Sequence, residues 1–528
     1  MNKLLGVILL LCAVFPPGSS ASTYNARPKL VVIIIIDQFR GDYLERYHDE
    51  FGANGFRLFT DRGAYFTDCY FDYANTYTAP GHATLLTGAY SDGHGIFANE
   101  WWDAARKRQV TSVEDDATRL LGGTAGATGA SPHNLMASTL GDELKLATQG
   151  KTRVFGIALK DRAAVLPAGW SGDGAFWIDT KTGAWVSSTY YGEQLPEWVR
   201  QFNQSKAADK YWNQEWTDAS GTVLGNTART PGAAFYDVVG QTPLANDYEF
   251  EFARELITNE KLGSGPATDL LIISLSANDI LGHRVGPDAP QMHAMAMAMD
   301  RQIAEFASFL GGHLGLANVW MALSADHGVA PVPAQARTLR VPATVLDDGK
   351  LRTQVNQALA ARMGPHDFVR AADFGLFFLA PEAFGNVSEA TAEQATGTAL
   401  VAAGMRAFFT KSQLAQGNAP ATALGRKYLH SASPYGGWWV TAVPPAFAIT
   451  GARGTTHGAP YSYDTHVPLA FYGTAFRPGT YRGHSEPVDL APTLASLLGV
   501  NAPSSSIGRV LTEALASAPQ EENSGGTQ

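Results

Sequence analysis

The sequence predicts an α/β protein: a doubly wound, mostly parallel sheet in an α/β/α sandwich, with inserted cap segments. The first observation is a set of short apolar runs, rich in Val, Ile and Leu, that do not alternate with polar residues, as is typical of strands buried on both faces. The second is that helical patterns lie between these runs, which indicates crossovers between parallel strands. The runs are Leu30–Ile36, Val154–Leu159, Leu270–Leu275, Val319–Leu323 and Leu469–Tyr472.

Two helices are the most clearly patterned. Pro290–Leu310 carries methionines and other apolar residues at helical spacing, which we interpret as core packing. Pro487–Leu498 is predicted to be the closing helix, and Gly499 is its stop signal. The composition, 45% apolar and 17% charged, allows the sizeable core that such a sandwich needs.

Three regions fit the sheet poorly. Residues near 100–150 are rich in Gly, Ala and Thr, residues 170–250 are rich in Trp, Tyr and Asn, and residues 335–450 mix apolar and loop segments. We expect them to be insertions that cap one edge of the sheet, so that residues 22–514 form one domain. Residues 515–528 are predicted to be a disordered tail, because small and polar residues dominate them.

The first 21 residues have the features of a signal peptide: Lys3, the apolar run Leu4–Phe15, and a small, helix-breaking end. The alternative is a short membrane anchor, but a spanning helix needs about 20 apolar residues. We therefore expect cleavage near Ala21, a periplasmic or secreted protein, and no stable membrane span after cleavage. Cleavage leaves Cys69 as the one remaining cysteine, so no internal disulfide is expected.

The charge pattern argues against nucleic acid as a partner. The formal net charge is −10, and no basic stripe is visible along the chain. A local cationic pocket for an anionic substrate is still compatible with this balance.

Metal-ligating residue types follow the predicted strands. Ligands of open parallel sheets bind at the carboxyl ends of the strands, so these side chains are predicted to meet at one edge. The i,i+4 spacing of Asp279 and His283 places both on one helical face, and Gly328 permits unusual backbone after a loop Asp-His pair. Each pair taken alone has a non-functional explanation: the i,i+4 spacing can arise by chance, and an Asp-His pair in a loop is usually solvated. The set is Asp37, Asp279, His283, Asp326, His327, and His457 or His466.

Thr78 is the candidate nucleophile. Pro80 suits the first turn of a helix, so Thr78 is predicted to lie at or just before a helix N-terminus, where free N–H groups favour an anion. A metal ion lowers the pKa of water from about 15.7 to about 7, and a hydroxyl can be activated in the same way. The alternative is a simple N-cap. Thr76 and Thr84 are rival candidates.

A second set of residues is predicted to bind oxyanions. Lys160 and Arg162 follow an apolar run, and in an extended segment residues two apart share a face. Two cations there suit the non-bridging oxygens of a phosphoryl group, and Asn99 adds a neutral donor. The alternatives are a solvated charge run and a turn asparagine.

These residues lie in segments that resemble the alkaline phosphatase superfamily, and most closely its exported phosphomonoesterases with a threonine nucleophile, the phosphate-irrepressible type. The resemblance extends from residue 33 to residue 499. The matching segments are IIIIDQFRGDYL, NTYTAPGHATLLTGAYSDGHGIFANEWWD, ALKDRAAVLPAG, SANDILGHRVGPD, SADHGVAPVP, GTTHGAPYSYDTHVPLAFYG and VDLAPTLASLLG.

The resemblance implies an alkaline phosphatase-like catalytic domain with two zinc ions, although Asp and His ligands also admit Mn, Co or Fe. One ion would be held by Asp37, Thr78, Asp326 and His327, and the other by Asp279, His283 and His457, with His457 preferred over His466. Lys160, Arg162 and Asn99 match the phosphoryl contacts of the monoesterase branch.

The implied reaction is hydrolysis of small phosphate monoesters through a phospho-threonine. Sulfatases differ, because their Cys or Ser becomes an aldehyde hydrate and an arginine follows, whereas this chain has Thr78 and no such arginine. The serine and magnesium-site pattern of the best-known bacterial alkaline phosphatase is not apparent either. Two alternatives remain: a nucleotide pyrophosphatase/phosphodiesterase with the same metals, and an inactive phosphate-binding homologue. The sequence does not specify the oligomeric state.

Overall fold

A computed structural model describes residues 27–228, 232–450 and 454–516. The predicted signal peptide lies outside these residues, as do residues 517–528 of the predicted tail. The first two tail residues are packed against the domain: Leu515 forms a β-bridge with Phe476, and the Ala516 N–H donates to the carbonyl oxygen of Ala475 at 2.9 Å. The prediction that disorder begins at residue 515 is therefore wrong for these two.

The strands alternate with helices along most of the described chain. In chain order the strands are β1 Leu30–Ile36, β2 Ala64–Phe66, β3 Glu100–Asp103, β4 Arg108–Thr111, β5 Glu114–Leu121, β6 Thr128–Ala130, β7 Val154–Ala158, β8 Gly174–Asp179, β9 Ala184–Ser188, β10 Glu215–Thr217, β11 Val223–Asn226, β12 Asp269–Leu275, β13 Val319–Ser324, β14 Thr344–Leu346, β15 Val369–Asp373, β16 Leu376–Leu379, β17 Ala407–Thr410, β18 Trp439–Val443, β19 Ala448–Thr450, β20 Leu469–Tyr472 and β21 Gly479–Tyr481.

The α-helices are of very different lengths. They are α1 Tyr43–Arg46, α2 Phe56–Thr60, α3 Thr78–Thr87, α4 Ser91–His94, α5 Leu140–Ala147, α6 Asp161–Ala168, α7 Glu197–Gln204, α8 Ala233–Val239, α9 Pro243–Asn259, α10 Ala277–Val285, α11 Pro290–Leu314, α12 Pro333–Thr338, α13 Asp348–Met363, α14 Glu389–Ala402, α15 Lys411–Ala415, α16 Ala423–His430, α17 Ser462–Thr465 and α18 Leu490–Leu498.

The predicted apolar runs form the centre of one large sheet. Its order is β21-β2-β20-β13-β1-β12-β7-β8-β9-β5-β6. β1 pairs in parallel with β12 and β13, β12 with β7, and β7 with β8. Every residue of β1 and of β12 is buried, because helices cover both faces. The predicted doubly wound, mostly parallel sheet is confirmed.

One predicted strand runs in the opposite direction. β20 has the predicted bounds, but it pairs antiparallel with both β13 and β2. An antiparallel strand at this side of a parallel sheet is common in large α/β folds. Composition alone does not reveal it, because an apolar run has no direction.

The two faces of the sheet carry different helices. On one face α3 packs against α6 and α18, and on the other α11 packs against α9 and α10. The methionines of α11 are largely buried, as predicted for core packing. The closing helix is preceded by a 3-10 turn over Pro487–Asp489, and Gly499 ends it with a left-handed φ of 64°.

The insertions have structure of their own. β5, β6, β8 and β9 extend one side of the large sheet by antiparallel pairs. β15, β16, β18 and β17 form a separate antiparallel sheet, and α13 and α14 pack on it around an apolar cluster of their own. The division into one domain with insertions near 100–150, 170–250 and 335–450 remains a proposal.

Candidate active site

The nominated side chains lie at the carboxyl edge of the central strands. Asp37 follows β1, and the Asp326-His327 pair follows β13. Asp279 and His283 lie on α10, which begins two residues after β12. Parallel pairing of β1 with its two neighbours brings these three strand ends side by side. The edge therefore collects carboxylates and imidazoles from distant parts of the chain.

Thr78 is the first residue of α3, as predicted from Pro80. The preceding residue, Tyr77, provides no side-chain cap, and the N–H of Ala79 in the first turn donates to the side chain of Asn99 instead. Thr78 is buried, with 1% of its surface exposed, and its hydroxyl oxygen lies 3.5 Å from Lys160 Nζ.

The rival threonines are engaged elsewhere. The Thr76 hydroxyl donates to the carbonyl oxygen of Ala459 and accepts from the N–H of Gly458, at 3.2 and 3.1 Å. Thr84 lies inside α3, and its hydroxyl is 3.1 Å from His94 Nε2. Thr78 is thus the threonine of this segment whose hydroxyl faces the charged cluster.

The first group of candidate ligands consists of Asp37, Asp326 and His327, all fully buried. His327 Nε2 lies 3.5 Å from Asp37 Oδ1 and 3.4 Å from Asp326 Oδ2. Gly328 allows this tight turn for a reason other than the predicted one: its φ is not left-handed, but an added Cβ would lie 2.4 Å from the carbonyl oxygen of Tyr463.

The second group is built around Asp279. His283 Nε2 lies 3.1 Å from Asp279 Oδ1, which confirms that the i,i+4 pair faces one way on α10. His457 Nε2 lies 3.6 Å from the same oxygen, and the rings of His457 and His327 stack with centroids 3.6 Å apart. His327 thereby connects the two groups, since it also lies within reach of Asp279 and His457.

The histidines are oriented by the backbone. Nδ1 of His283, His327 and His457 donates to a carbonyl oxygen, that of Thr455, Gly328 and Thr76 respectively. A donating Nδ1 leaves the lone pair on Nε2, and in each case Nε2 points at the carboxylates.

The donor set fits a divalent metal. Within the described residues, Asp37 Oδ1, Asp326 Oδ2 and His327 Nε2 are buried and have no hydrogen-bond partner. Buried polar atoms are normally satisfied, so three unpartnered ligand atoms in one small volume fit the coordination of a cation. Mixed carboxylate and imidazole groups are typical of zinc and of other first-row divalent ions.

The crowded carboxylates perturb one another. Burial raises the pKa of Asp37 well above its usual value, and the neighbouring Asp279 and Asp326 raise it further. Burial also acts to raise the pKa of Asp279, but His283 and Lys160 outweigh this effect, and that pKa lies well below its usual value. Such opposed shifts are typical of sites that concentrate like charges for binding or catalysis.

Lys160 lies at the centre of the cluster. Its ammonium contacts Asp37 Oδ2 at 2.5 Å and Asp279 Oδ2 at 2.6 Å, one carboxylate from each group. The prediction that Lys160 and Arg162 share a face of an extended segment is wrong, because α6 begins at Asp161. Arg162 Nε is buried without a hydrogen-bond partner among the described residues. Asn99 Oδ1 accepts from the N–H of Ala79 at 2.9 Å.

His466 lies outside the cluster. Its Nε2 donates to the carbonyl oxygen of Thr67 at 3.0 Å, its ring stacks on Tyr70, and the backbone at Gly41 packs against the ring. The structure therefore brings His457, and not His466, to the other nominated ligands.

Three further residues of the cluster were not nominated from sequence. The Gln38 side chain contacts Asp279, His82 contacts Asp326, and Asn278 donates to the carbonyl oxygen of Asp37 at 2.8 Å. Each lies within four residues of a nominated residue, which was the available signal. Only the packed structure shows which neighbours turn inward.

Comparison with known proteins identifies the family. Residues 31–375 match the family described as type I phosphodiesterase / nucleotide pyrophosphatase. The chain is 32% identical to a Myroides odoratus protein named calcium-transporting ATPase, over 98% of this chain and 100% of that protein. It is 30% identical to alkaline phosphatase PhoV of Synechococcus elongatus, over 93% of each chain.

The fold also matches a solved structure. Alkaline phosphatase PafA superposes with a TM-score of 0.85 at 27% identity, over 93% of this chain and 99% of that one. Another PafA structure carries substitutions of a threonine, an asparagine, a lysine and an arginine. The chain therefore belongs to the type I phosphodiesterase / nucleotide pyrophosphatase family, within the alkaline phosphatase superfamily, and is a phosphatase enzyme.

Proposed function

We propose that this enzyme hydrolyses small phosphate monoesters through a phospho-threonine on Thr78, at a site for two zinc ions. One observation carries the proposal: Lys160 Nζ lies 3.5 Å from the Thr78 hydroxyl while it contacts a carboxylate of each ligand group. The Lys160 ammonium therefore lies close to the proposed nucleophile and to both groups of candidate metal ligands.

The proposed ligands of the two ions correspond to the two groups of side chains described for the candidate active site. Asp37, Thr78, Asp326 and His327 would hold one ion, and Asp279, His283 and His457 the other. When bound, the ions would lower the pKa of the threonine hydroxyl and neutralise charge on the leaving oxygen.

The residues of this chain would then act in two steps. Thr78 Oγ1 loses its proton to solvent and attacks phosphorus, the bond between phosphorus and the ester oxygen breaks, and that oxygen takes up a proton from solvent and leaves as the alcohol. Water then attacks the phospho-threonine, which releases inorganic phosphate and restores the hydroxyl. The positive end of the α3 dipole favours the negative charge that collects there in both steps.

The cationic and amide groups would hold the phosphoryl oxygens. The Lys160 ammonium is on a flexible stem beside Thr78, so a side-chain rotation suffices to move it from the carboxylates to a bound phosphoryl group. Arg162 and the amide nitrogen of Asn99 would add donors on the other oxygens. The Asn99 carbonyl oxygen, already bound to the N–H of Ala79, fixes the amide beside the nucleophile.

The enzyme is also proposed to act outside the cytoplasm. The predicted signal peptide supports export. Among the described residues, no helix combines the length and the apolar character that are needed to cross a bilayer.

The test combines metal analysis with phosphate trapping. We expect the wild-type chain to bind two zinc ions, to hydrolyse phenyl phosphate, and to yield acid-stable phosphate on threonine when a labelled turnover is quenched. Thr78→Ala should abolish the label and lower turnover at least 10³-fold, whereas Thr84→Ala on the same helix should keep both. Label retained in Thr78→Ala, or metal-replete wild type that binds phosphate without turnover, would overturn the proposal.

A second candidate, nucleotide pyrophosphatase/phosphodiesterase activity, is favoured by the family match over residues 31–375. A diester has one anionic oxygen fewer and a second organic group, so a lysine and arginine pair serves it less well. Rates on phenyl phosphate and bis-phenyl phosphate distinguish the two, and a large diester preference would reverse our choice.

A further inference from the structure

We propose that Gln38 is a positioning residue that joins the two ligand groups, and that position 282 is glycine in order to admit it. The inference rests on the proposed two-metal function. It concerns which residues hold the ligands in place.

Gln38 contacts both groups at once. Its backbone N–H donates to Asp326 Oδ1 at 3.0 Å, and its side-chain Nε2 donates to Asp279 Oδ1 at 2.6 Å. The residue is 1% exposed. One residue therefore fixes a carboxylate oxygen of each group, and in Asp326 it leaves the other oxygen for a cation.

The backbone conformation required for this double contact is unfavourable for glutamine. The φ of Gln38 is 63°, in the left-handed region that favours glycine. Such conformations persist where the surroundings over-determine them, and they cluster at functional sites. A glycine would adopt this φ without strain and would keep the N–H to Asp326, so what the glutamine side chain adds is the contact of its amide with Asp279.

The space for that amide comes from α10. A Cβ added at Gly282 would lie 2.2 Å from Gln38 Oε1. Helix interiors normally disfavour glycine relative to alanine. Gly282 lies between Asp279 and His283, so the helix that carries two ligands also carries the gap that receives the amide.

Because residues that orient ligands affect metal affinity, we expect Gln38→Gly to lower the affinity of the Asp279 group for its ion 10–100-fold. The ion in the Asp326 group should be retained, since the backbone N–H of residue 38 remains. Gly282→Ala should have the same effect on the Asp279 group by displacing the amide, although alanine is the better helix former. The double variant should bind metal as tightly as Gln38→Gly alone, because a Cβ at position 282 then has no Gln38 amide to clash with.

Gln149→Gly is the matched control. Gln149 also has a left-handed φ, 55°, but it is exposed and far from the site in the loop after α5. It reproduces the backbone change without the amide contact, so its metal affinity and turnover should equal those of the wild type.

The experiment is equilibrium competition of Zn²⁺ and Co²⁺ against a chelator, with ion content per chain measured by mass spectrometry and turnover measured at limiting and excess metal. We expect the lost turnover of Gln38→Gly to recover with excess metal. If the wild type binds two ions and Gln38→Gly binds them with unchanged affinities, the role of Gln38 is refuted and the proposed function is not. Additive losses in the double variant would overturn the role of Gly282. Wild type that binds no second ion would overturn the proposed function and this inference together.

Discussion

His82 Nδ1 lies 3.3 Å from Asp326 Oδ2, and both side chains are fully buried. The same nitrogen donates to the carbonyl oxygen of Thr78 at 2.8 Å, and Nε2 lies 2.7 Å from the Ser274 hydroxyl on β12. One imidazole thus connects the first turn of α3, a candidate ligand and the central sheet. Gly81 allows the approach, since a Cβ there would lie 2.3 Å from the carbonyl oxygen of Asp326.

The first prediction concerns this contact. His82→Ala should lower kcat and metal affinity 10–100-fold, because Asp326 loses the buried imidazole that lies 3.3 Å from its Oδ2 and the first turn of α3 loses its contact with the same ring. His82→Asn, whose amide can still donate near the Nδ1 position, should recover part of the loss. Zinc competition and steady-state kinetics measure both variants. If both variants lose the same free energy of unfolding and keep the metal affinity of the wild type, His82 acts only in packing.

The second prediction concerns substrate preference. Lys160→Met should lower kcat/KM for phenyl phosphate by about 10²–10³-fold, a typical cost for one lost charge-stabilising donor. Hydrolysis of bis-phenyl phosphate should fall less, because the diester presents one anionic oxygen fewer. The ratio of the two rates measures the effect. Lys145→Met is the control, since Lys145 lies on α5 and pairs with Asp173 at 2.8 Å. An unchanged ratio in Lys160→Met would contradict the assigned role.

The third prediction concerns metal removal. A chelator should abolish activity and lower Tm, because the ion stabilises the folded state by mass action and because Asp37, Asp279 and Asp326 then repel one another across a buried space. Zinc should restore both quantities. The loss of Tm should be smaller in Asp279→Asn than in the wild type, since one buried charge and one ligand are already gone. Full activity after complete removal of metal would refute a metal-dependent reaction.

The fourth prediction concerns pH and a residue remote from the site. Burial raises the pKa of Glu393 on α14 to about 7, although its Oε2 accepts from the N–H of Ser412 at 3.0 Å. The folded state therefore binds a proton more tightly than the unfolded state, whose glutamate has a pKa of about 4.3. This contribution to stability is complete below about pH 4 and is lost as the pH rises to about 7.

Glu393→Gln should remove that loss. We expect the variant to exceed the wild type in free energy of unfolding by on the order of 3 kcal/mol at pH 8, and by much less at pH 5. Denaturant unfolding at the two pH values measures the difference, with Glu193→Gln at an exposed position as the control. A pH-independent difference would contradict the assigned proton uptake.

Much of the fold was predictable because buried strands have a simple composition. The run Leu30–Ile36 has the same bounds in the sequence prediction and in β1. The direction of β20 was not predictable, because side-chain composition carries no information about strand polarity. The start of α6 at Asp161 was also missed, because a charged Lys-Asp-Arg segment is compatible with both an extended segment and the first turn of a helix.

The sequence by itself determined the chemical inventory of this protein: a threonine before Ala-Pro-Gly, carboxylates directly after apolar strands, and the i,i+4 pair Asp279 and His283, whose spacing is a local property of a helix. Tertiary structure alone decided which groups meet. It selected His457 over His466, turned Lys160 onto two carboxylates, and set Gln38 in a left-handed conformation against the gap at Gly282. The reason is that these contacts join residues more than a hundred positions apart, so packing of the sheet and its helices decides them.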